Sequence, residues 1–410
     1  MISIAVFKRA LLLSVPIVLA LSAPTTTAGP QDEGPWKFRT GLDARLRYEF
    51  VDQDGVANDA NAVTLRTRLS FAAAWDDKGA ALIEFEDVRA FGSERFNSTA
   101  NGMGAFPVVA DPDATELNRA YLSYVVPYDI ALKLGRQRIV RDKGRMIGDV
   151  GWRQNQQTFD ALTAGRSAGD VRFWFAYLAG AKRIFGDQHP NPVNREFDLD
   201  GYAAEGEWKL APGSLTGIVH YLEFENDMLR SHRNLGLRWL GSQKAGDDAT
   251  FAYRLEFIDQ APHADGNTIN ESDYFALEAG YKTKRWGVGA NMELLGGDGV
   301  YGFQRPLATL HAYNGWADRF LNTPAEGLED MYLTGNVNLG GYKLGGQYHR
   351  FKSDMGNIHF GDELGLVVSH KCSSRVDVML KYANHMAKDV GVDVQKVWFS
   401  VRFADTYDLR

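Results

Sequence analysis

Arginine and amide side chains are concentrated in one stretch of the chain, residues 135–160. Arginines lead up to Trp152, and an Asn- and Gln-rich run follows it at 154–157. Guanidinium groups match carboxylates in a bidentate geometry, and amide side chains both donate hydrogen bonds to hydroxyls and accept them. The stretch therefore indicates a site for an anionic, hydroxyl-rich ligand, although the same groups could instead brace a loop against the rest of the protein.

A second stretch, residues 309–324, combines aromatic and polar side chains with helical spacing. Thr309 is a plausible N-cap, and one face of the helix would be apolar. The residues of that face are Leu310, Tyr313, Ala317, Phe320 and Leu321. The pattern predicts a short amphipathic helix inside a long connection, where it would fold into the mouth of a pore or simply seal a loop.

Long β-strands must carry these stretches, and residues 36–50 show the strand pattern most clearly. Apolar side chains alternate there with charged ones without interruption. Soluble strands run about five or six residues, whereas a tilted membrane strand needs roughly nine to eleven. Rings at both ends of the apolar face, Trp36 and Phe38 at one and Tyr48 and Phe50 at the other, match the two aromatic girdles of a membrane barrel.

The same alternation recurs along the chain and predicts an all-β fold, a transmembrane antiparallel up-and-down β-barrel of about 18 strands. The clearest further segments are 63–75, 251–257, 286–294, 331–339, 342–351, 376–382 and 397–403. Short turns alternate with long connections, as expected when turns lie on one side of a membrane and loops on the other. The long connections are predicted at about 89–115, 140–157, 181–197, 260–271, 296–328 and 384–393.

The N-terminal sequence has the three parts of a secretory signal: basic residues, an apolar run, and small residues at Ala23 and Ala28. We therefore expect residues 1–28 to be a signal peptide and residues 29–410 to form the barrel. The mature chain contains no apolar run long enough for a transmembrane helix, so a membrane crossing requires strands in a closed barrel. The predicted location is the outer membrane of a Gram-negative bacterium.

Composition excludes several classes of function. The net charge of −7 argues against nucleic-acid binding. Cys372 is the only cysteine, so the chain can form neither an intramolecular disulfide nor a cysteine-based metal site. We expect no cofactor and no bound metal.

Strand alternation assigns a set of cations to the inward face of the barrel. In the first two strands these are Lys37, Arg39, Arg45, Arg47, Arg66 and Arg68. Carboxylates also fall inward, namely Glu84 with Glu86, Glu205 with Glu207, and Asp377 beside Lys381. The predicted lumen is therefore mixed: some charges would be paired struts, and others would steer anions.

Several short motifs in the two chemical stretches carry a family resemblance. They are Gly135-Arg136-Gln137, Ile147-Gly148 followed by Trp152-Arg153-Gln154-Asn155, Gln157-Thr158-Phe159-Asp160, and residues 310–318 with Asn322-Thr323-Pro324. Through them nearly the whole mature chain resembles the alginate export family of outer-membrane porins. The resemblance implies a monomeric barrel of about eighteen strands with an arginine-lined passage that secretes a polyuronate from periplasm to exterior. It assigns pore-lining or pore-bracing roles to Arg136, Arg138, Arg153, Asn155 and Asp160.

Three functions remain open at this point. The first is export of an acidic polysaccharide, with outer-membrane lipid and periplasmic export-complex proteins as further partners and with no nucleic acid. The second is a porin for uptake of small organic acids or sugars, which would use the same lumen arginines. An outer-membrane hydrolase is the remote alternative, because the nearest nucleophile and base, Ser369 and His370, point to opposite faces of a strand and no hydrolase motif is present.

Overall fold

The computed structural model describes residues 36–409, and within them the chain forms one closed antiparallel sheet of 18 strands. Each strand pairs with its neighbours in sequence, and the first strand pairs with the last to close the barrel. The predicted signal peptide, residues 1–28, lies outside the described residues. The structure confirms the predicted fold class and strand number.

The strands are β1 (Trp36–Gln53), β2 (Ala60–Trp75), β3 (Gly79–Ala90), β4 (Ala114–Val126), β5 (Ile130–Gln137), β6 (Thr158–Ala168), β7 (Val171–Lys182), β8 (Glu196–Leu210), β9 (Gly213–Phe224), β10 (His232–Lys244), β11 (Ala249–Pro262), β12 (Ser272–Thr283), β13 (Trp286–Leu295), β14 (Leu328–Leu339), β15 (Tyr342–Lys352), β16 (His359–Lys371), β17 (Val376–Ala387) and β18 (Val394–Leu409). Helical structure among the described residues is confined to single turns at Pro127–Asp129, Asp142–Gly144, Pro192–Arg195, Met228–Arg230 and Leu310–Ala312.

The register of β1 with its two neighbours separates a polar face from an apolar one. Arg45 lies opposite Arg66 on β2 and Arg402 on β18, whereas the next residue, Leu46, lies opposite Leu65. Arg66 is buried, while Leu46 is exposed. Because successive side chains of a strand point to opposite faces, charged and apolar rows alternate along the sheet. The charged rows line the inside of the barrel, as the sequence predicts.

The outward face carries many exposed aromatic and aliphatic side chains. At the end of the barrel where the chain begins, the Trp36 ring packs against Trp75 at 5.2 Å and Phe38 at 6.1 Å between ring centroids. Further along the same wall, Phe71 and Phe85 are exposed as well. A continuous apolar surface of this extent is suited to lipid, and the rings at its margin correspond to an aromatic girdle.

Connections between strands differ in length at the two ends of the barrel. The short ones include 76–78, 211–212, 284–285 and 340–341, and the long ones include 91–113, 138–157, 183–195 and 296–327. This alternation agrees with the prediction, and the general asymmetry of such barrels places the short turns on the periplasmic side. No helix in the stretch from 36 to 409 is long and apolar enough to cross a membrane.

Three of the long loops, 91–113, 138–157 and 296–327, pack inside the barrel. Their apolar side chains join buried side chains of the strands in three clusters. The loop residues in these clusters are Phe96, Val109, Ile139, Met146, Ile147, Phe303, Leu307, Ala317 and Phe320. Burial of apolar area, at about 25 cal/mol per Å², therefore favours a lumen that is partly filled by its own loops.

The predicted amphipathic helix in residues 309–324 does not form. Only Leu310–Ala312 makes a single helical turn. Asn314 and Gly315 have φ of +55° and +88°, and these left-handed conformations end a right-handed helix. The backbone N–H groups of the next two residues donate to the Glu363 carboxylate on β16 instead of to a helical carbonyl. The apolar spacing is misleading here, because the residues of the predicted face have different surroundings: Ala317 and Phe320 join different buried clusters, and Leu321 is exposed.

Candidate functional site

Two of the inserted loops cross inside the lumen. We refer to residues 138–157 as the arginine loop and to residues 296–327 as the aromatic loop. The Gly148 N–H donates to the Leu307 carbonyl at 2.9 Å, and the Thr309 N–H donates to the Gly144 carbonyl at 2.8 Å. This short ladder fixes one loop against the other.

The crossing depends on glycine in the arginine loop. A Cβ at Gly148 would lie 2.2 Å from the Thr309 hydroxyl oxygen and 2.8 Å from the Gly144 Cα. A Cβ at Gly144, whose φ is +86°, would lie 2.6 Å from the same hydroxyl. The two backbones can therefore approach each other only because both positions lack a side chain.

The arginine loop extends from one wall of the lumen to the opposite wall. At one end, Arg145 donates to the Glu278 and Glu293 carboxylates and, at 2.8 Å, to the Tyr274 hydroxyl. At the other end, the Gln154 amide donates to the Thr64 carbonyl at 3.1 Å and to its hydroxyl at 2.9 Å. These contacts join β12 and β13 to β2, so the arginine loop spans the lumen and links opposite walls.

The aromatic loop is held by carboxylates of the wall formed by β13 to β16. Glu363 accepts from the backbone N–H groups of residues 316 and 317. The Asn314 amide donates to Asp330 at 3.1 Å, and Arg305 lies 3.6 Å from Glu293. The wall therefore binds the loop through its backbone as well as through its side chains.

Asp318 of the aromatic loop connects both loops to the remaining wall. Its carboxylate lies 2.8 Å from Arg153 of the arginine loop, 2.9 Å from Lys396 on β18 and 2.6 Å from His311 Nδ1. Arg153 also lies 3.5 Å from Glu49 on β1. All five side chains are buried. Burial opposes ionisation of Asp318, but the adjacent His311, Lys396 and Arg153 hold the pKa of its carboxyl well below its usual range.

The Lys381 side-chain nitrogen on β17 lies among aromatic rings beside this cluster. Its Nζ lies 4.0 Å from the Trp152 ring centroid, 3.9 Å from Trp316 and 5.4 Å from Trp398. His311 Nε2 lies 2.7 Å from the same Nζ. These contacts join the two loops to β17 and β18.

His311 is neutral in this arrangement. Burial lowers the pKa of His311 to about 3, with the Asp318 carboxylate opposing the shift and Lys381 reinforcing it. Neutral imidazole has one donor and one acceptor, so the hydrogen-bond partners assign Nδ1–H as donor to Asp318 and Nε2 as acceptor from Lys381.

The lowered pKa of His311 predicts acid sensitivity of the folded protein. An unfolded histidine binds a proton below about pH 6.5, whereas His311 in the fold resists protonation until the pH is far lower. The contribution of neutral His311 to stability is therefore complete above about pH 6.5 and decreases as the pH falls toward 4. We expect the urea midpoint of unfolding in detergent, followed by tryptophan emission, to fall between pH 7 and pH 4.5. The decrease should be smaller in His311→Asn, and an equal decrease in both proteins would contradict this assignment.

The predicted pore-lining arginines of β1 hold the loops instead of facing open lumen. Arg45 donates to the backbone carbonyls of Gly151 and Trp152, both at 3.1 Å. Arg47 donates to Asp111 of the 91–113 loop. These two side chains are braces, which is one of the two interpretations that the sequence leaves open.

The remaining cations of the first two strands are also paired or lie at the rim. Arg66 contacts Asp43 at 2.6 Å, and Arg68 contacts Glu86. Lys37 and Arg39 are exposed at the turn end of β1, where Arg39 lies 2.7 Å from Asp408.

Arg136 and Asp160 lie on the outer face of the barrel, and this corrects their expected lumen position. They form a bidentate pair with both N–O distances at 2.8 Å. On β5, Arg136 shares a face with the exposed Leu134, while the adjacent Gln137 is buried. Asp160 on β6 likewise lies next to Phe159, which packs in the lumen against the loops. Their motif suggested a lumen position, but strand alternation places them outward.

The other motif residues lie inside the barrel with different exposures. Arg138 donates to Asp149 of the arginine loop, yet its side chain is 53% exposed. Arg153 is buried in the Asp318 cluster, and the buried Asn155 amide donates to the Pro112 carbonyl at 3.0 Å. Arg138 is therefore the motif residue best placed to reach a solute.

Sequence reasoning missed most of the charges on the later strands. Those that face the lumen include Arg119, Arg238, Arg254, Glu278, Glu293, Asp330, Glu363, Lys396 and Arg402. The same alternation that identified Arg45 and Arg66 would have found them, had it been applied to β4, β10 to β16 and β18. The pairings could not have been found in this way, because they join distant segments.

The strands and loops carry complementary charges. The wall from β12 to β16 is acidic and presents Glu278, Glu293, Asp330 and Glu363. The wall from β17 through β18 to β2 carries the basic residues Lys381, Lys396, Arg402, Arg45, Arg47, Arg66 and Arg68. The loop cations that meet the acidic wall are Arg145 and Arg305, and the loop carboxylates that meet the basic wall are Asp111 and Asp318. The lumen thus contains a network of arginine–carboxylate pairs around the arginine loop, and the barrel that encloses it faces lipid.

The closed 18-stranded sheet, with its exposed apolar outer face and its charged lumen, defines a membrane β-barrel. A family model described as alginate export matches residues 37–294, more than half of the chain. The chain belongs to the alginate export family, whose members are channel proteins of the Gram-negative outer membrane. No curated protein matches the sequence.

Several solved structures have the same fold, and one of these proteins, OpdK, is described as an outer-membrane protein. OccAB4 of Acinetobacter baumannii has a TM-score of 0.70 and 12% identity over 90% of this chain and 98% of that chain. OpdK of Pseudomonas aeruginosa, in a structure with vanillate, has a TM-score of 0.70 and 13% identity over 90% and 99%. OccK2 (OpdF) of Pseudomonas aeruginosa has a TM-score of 0.68 and 13% identity over 90% and 98%. At these identities the likeness shows the fold alone.

Proposed function

We propose that this protein is a passive channel that carries an anionic polysaccharide, an alginate-like polyuronate, from the periplasm to the exterior. The observation that carries the proposal is the set of partly exposed lumen arginines that are each held by one carboxylate. They are Arg119 with Glu84, Arg138 with Asp149, and Arg141 with Glu205. Family membership adds the polymer class to this chemistry.

An arginine that already has a carboxylate partner suits transport better than tight binding. A uronate carboxylate can take over part of the guanidinium while the resident carboxylate keeps the side chain in place. The exchange costs little, so each contact is weak and reversible. Conduction requires sites that favour entrance of the solute but release it to the next site.

The proposed role involves no catalysis. His370 Nδ1 is 3.1 Å from the Gly341 carbonyl at the turn end of β16, where the half-buried ring stacks on Tyr342. Ser369 precedes it on the same strand and points to the opposite face, so His370 cannot act as its base. We further propose that the barrel works as a monomer, in contact with outer-membrane lipid and with periplasmic export-complex proteins.

Uptake of small organic acids is the second candidate function. The specific observation in its favour is that three inserted loops narrow the lumen, which a small carboxylate tolerates more easily than a polymer. The structurally similar OpdK was solved with vanillate, a small aromatic acid, and this also favours a small carboxylate as the solute. The two functions use the same arginines and differ in the size of solute that occupies several of them at once.

Planar-bilayer recordings test the proposal with two substitutions that remove the same charge from opposite faces. We expect anion selectivity and block by hexuronate trimers in the unmodified protein. Arg138→Gln should weaken that block about fivefold, since one exposed ion pair is worth roughly 1 kcal/mol. Arg136→Gln, on the outer face, should leave the block unchanged.

Three outcomes separate the candidates. A cation-selective channel, or equal effects of the two substitutions, would contradict the proposal. Block by monomeric hexuronate at the same concentrations as by the trimer would favour uptake of small acids. Block that strengthens with each added sugar unit would favour the polymer.

A further inference from the structure

A cavity of about 470 Å³ opens at the turn end of the barrel. It lies where β1, β2 and β18 meet the turn at 372–375, which is the periplasmic side by the general asymmetry of such barrels. Its lining includes Gly41, Ser70, Ser374 and Thr406 besides two ion pairs. The volume lies within the range of small-molecule sites, about 300–1,000 Å³.

Two guanidinium groups line this cavity, and each has N–H donors that its carboxylate partner does not use. Arg402 on β18 uses Nε and Nη2 to bind Asp43, at 3.1 and 2.6 Å, and its side chain is 47% exposed. Arg375 of the turn uses Nε to contact Asp405 at 2.8 Å and is 57% exposed. Because both hold their carboxylate through the Nε edge, the remaining Nη–H donors are available to a ligand.

The charges of the cavity favour a ligand with a single negative charge. Asp43 is shared by Arg402 and Arg66, and Asp405 contacts Arg375. Three guanidinium groups therefore meet two carboxylates, which leaves one positive charge for a ligand. A multiply charged phosphate would face Asp43 and Asp405 without enough compensating cations. A monoanion with many hydroxyls would instead find donors on the arginines and acceptors on the carboxylates.

The space and the hydroxyl groups depend on small side chains. A Cβ at Gly41 would lie 2.6 Å from the Ser70 hydroxyl oxygen and 3.5 Å from Thr406 Cγ2. Any larger side chain at Gly41 would therefore project into the cavity. Hydroxyls of the lining can donate to sugar oxygens and accept from sugar hydroxyls.

We propose that this cavity is a binding subsite for one uronate unit, the first that the sugar chain meets on the periplasmic side of the barrel. The inference rests on the proposed function, because it takes the solute to be a polyuronate. The uronate carboxylate binds the free edges of Arg402 and Arg375, and its ring hydroxyls bind Asp43, Ser70 and neighbouring oxygens.

The subsite is tested by measuring how strongly a sugar blocks the channel in a planar bilayer when the sugar is added to only one side. A hexuronate trimer is added to one side at a time, with maltotriose as the neutral control. Arg402→Gln and Arg375→Gln should each weaken block from the turn side about tenfold, while block from the loop side stays the same. Gly41→Val, which fills the cavity and keeps every charge, should weaken turn-side block as well. Arg285→Gln is the matched control, because it removes an exposed arginine from another turn of the same rim.

The block measurements distinguish failure of the subsite from failure of the proposed function. Weakened turn-side block in the three cavity variants, with normal block in Arg285→Gln, would support the subsite. Unchanged block in the cavity variants, or an equal loss in Arg285→Gln, would overturn it while leaving the proposed function intact. Absence of block from both sides in the unmodified protein would overturn the proposed function and the subsite together. Normal electrophoretic shift of the folded barrel on heating confirms that each variant has folded.

Discussion

Gly148→Val is expected to separate the two crossing loops and to raise the single-channel conductance. The new side chain would meet both the Thr309 hydroxyl and the Gly144 backbone at distances that no Cβ tolerates. Backbone contacts cannot move aside as a flexible side chain does. Overpacking of this kind costs about 1–3 kcal/mol, and the two backbone hydrogen bonds of the crossing add about 1 kcal/mol each.

The barrel itself should survive this substitution, because the strands do not depend on the crossing. The measurement is the conductance and the open-channel noise in planar bilayers, with the heat-dependent electrophoretic shift as a check on folding. Gly104→Val is the matched control: Gly104 lies in the 91–113 loop, and a Cβ there would meet nothing within 4 Å. A conductance equal to that of the unmodified protein in Gly148→Val would show that the crossing does not restrict the lumen.

Asp318→Asn is expected to release the aromatic loop from the wall. The carboxylate contacts Arg153, Lys396 and His311, all of them buried. Loss of one partner of a buried ion pair costs about 3–5 kcal/mol. Here Lys396 loses its carboxylate partner, and Arg153 keeps only the more distant Glu49. The expected result is a lower midpoint of thermal unfolding, followed by tryptophan emission, together with a higher and noisier conductance.

A second substitution distinguishes loss of charge balance from loss of contact. Lys396→Met in the Asp318→Asn background removes one of the uncompensated cations, so part of the lost stability should return. Lys396→Met alone leaves Asp318 with Arg153 and should cost less than Asp318→Asn. If the double variant were as unstable as the sum of the two single ones, the carboxylate would not act as a shared anchor.

The barrel could be predicted from sequence because its signal is local. Alternation with a period of two residues places Arg45 inside and Leu46 outside without any knowledge of the partners of β1. The short and long connections follow from the same pattern. These features depend only on neighbours in the chain, and the structure confirms them.

The arrangement inside the barrel could not be predicted in this way. Arg145 and Glu293 form one contact although 148 positions separate them in the chain. The rings around Lys381 are similarly three tryptophans from two loops and a strand. No periodicity encodes such contacts, so the sequence indicated which residue types matter but not which of them brace the loops.

Two residue assignments show how the available signals compete. The motif predicts a pore-lining or pore-bracing role for Arg136, although Arg136 shares the outer face with Leu134 and alternates with the buried Gln137. The spacing within residues 309–324 predicts a helix, although Asn314 and Gly315 adopt left-handed conformations. In the first case the local pattern was the better guide, and in the second the tertiary contacts decided the backbone.

Passage of a charged sugar through the lumen is the central claim, and flux measures it more directly than block does. Purified protein in liposomes would be loaded with a fluorescent hexuronate trimer or with a maltotriose of the same label, and efflux would be followed in both. We expect faster efflux of the hexuronate than of maltotriose, with a further increase in Gly148→Val. Equal or slower efflux of the hexuronate than of maltotriose would contradict it.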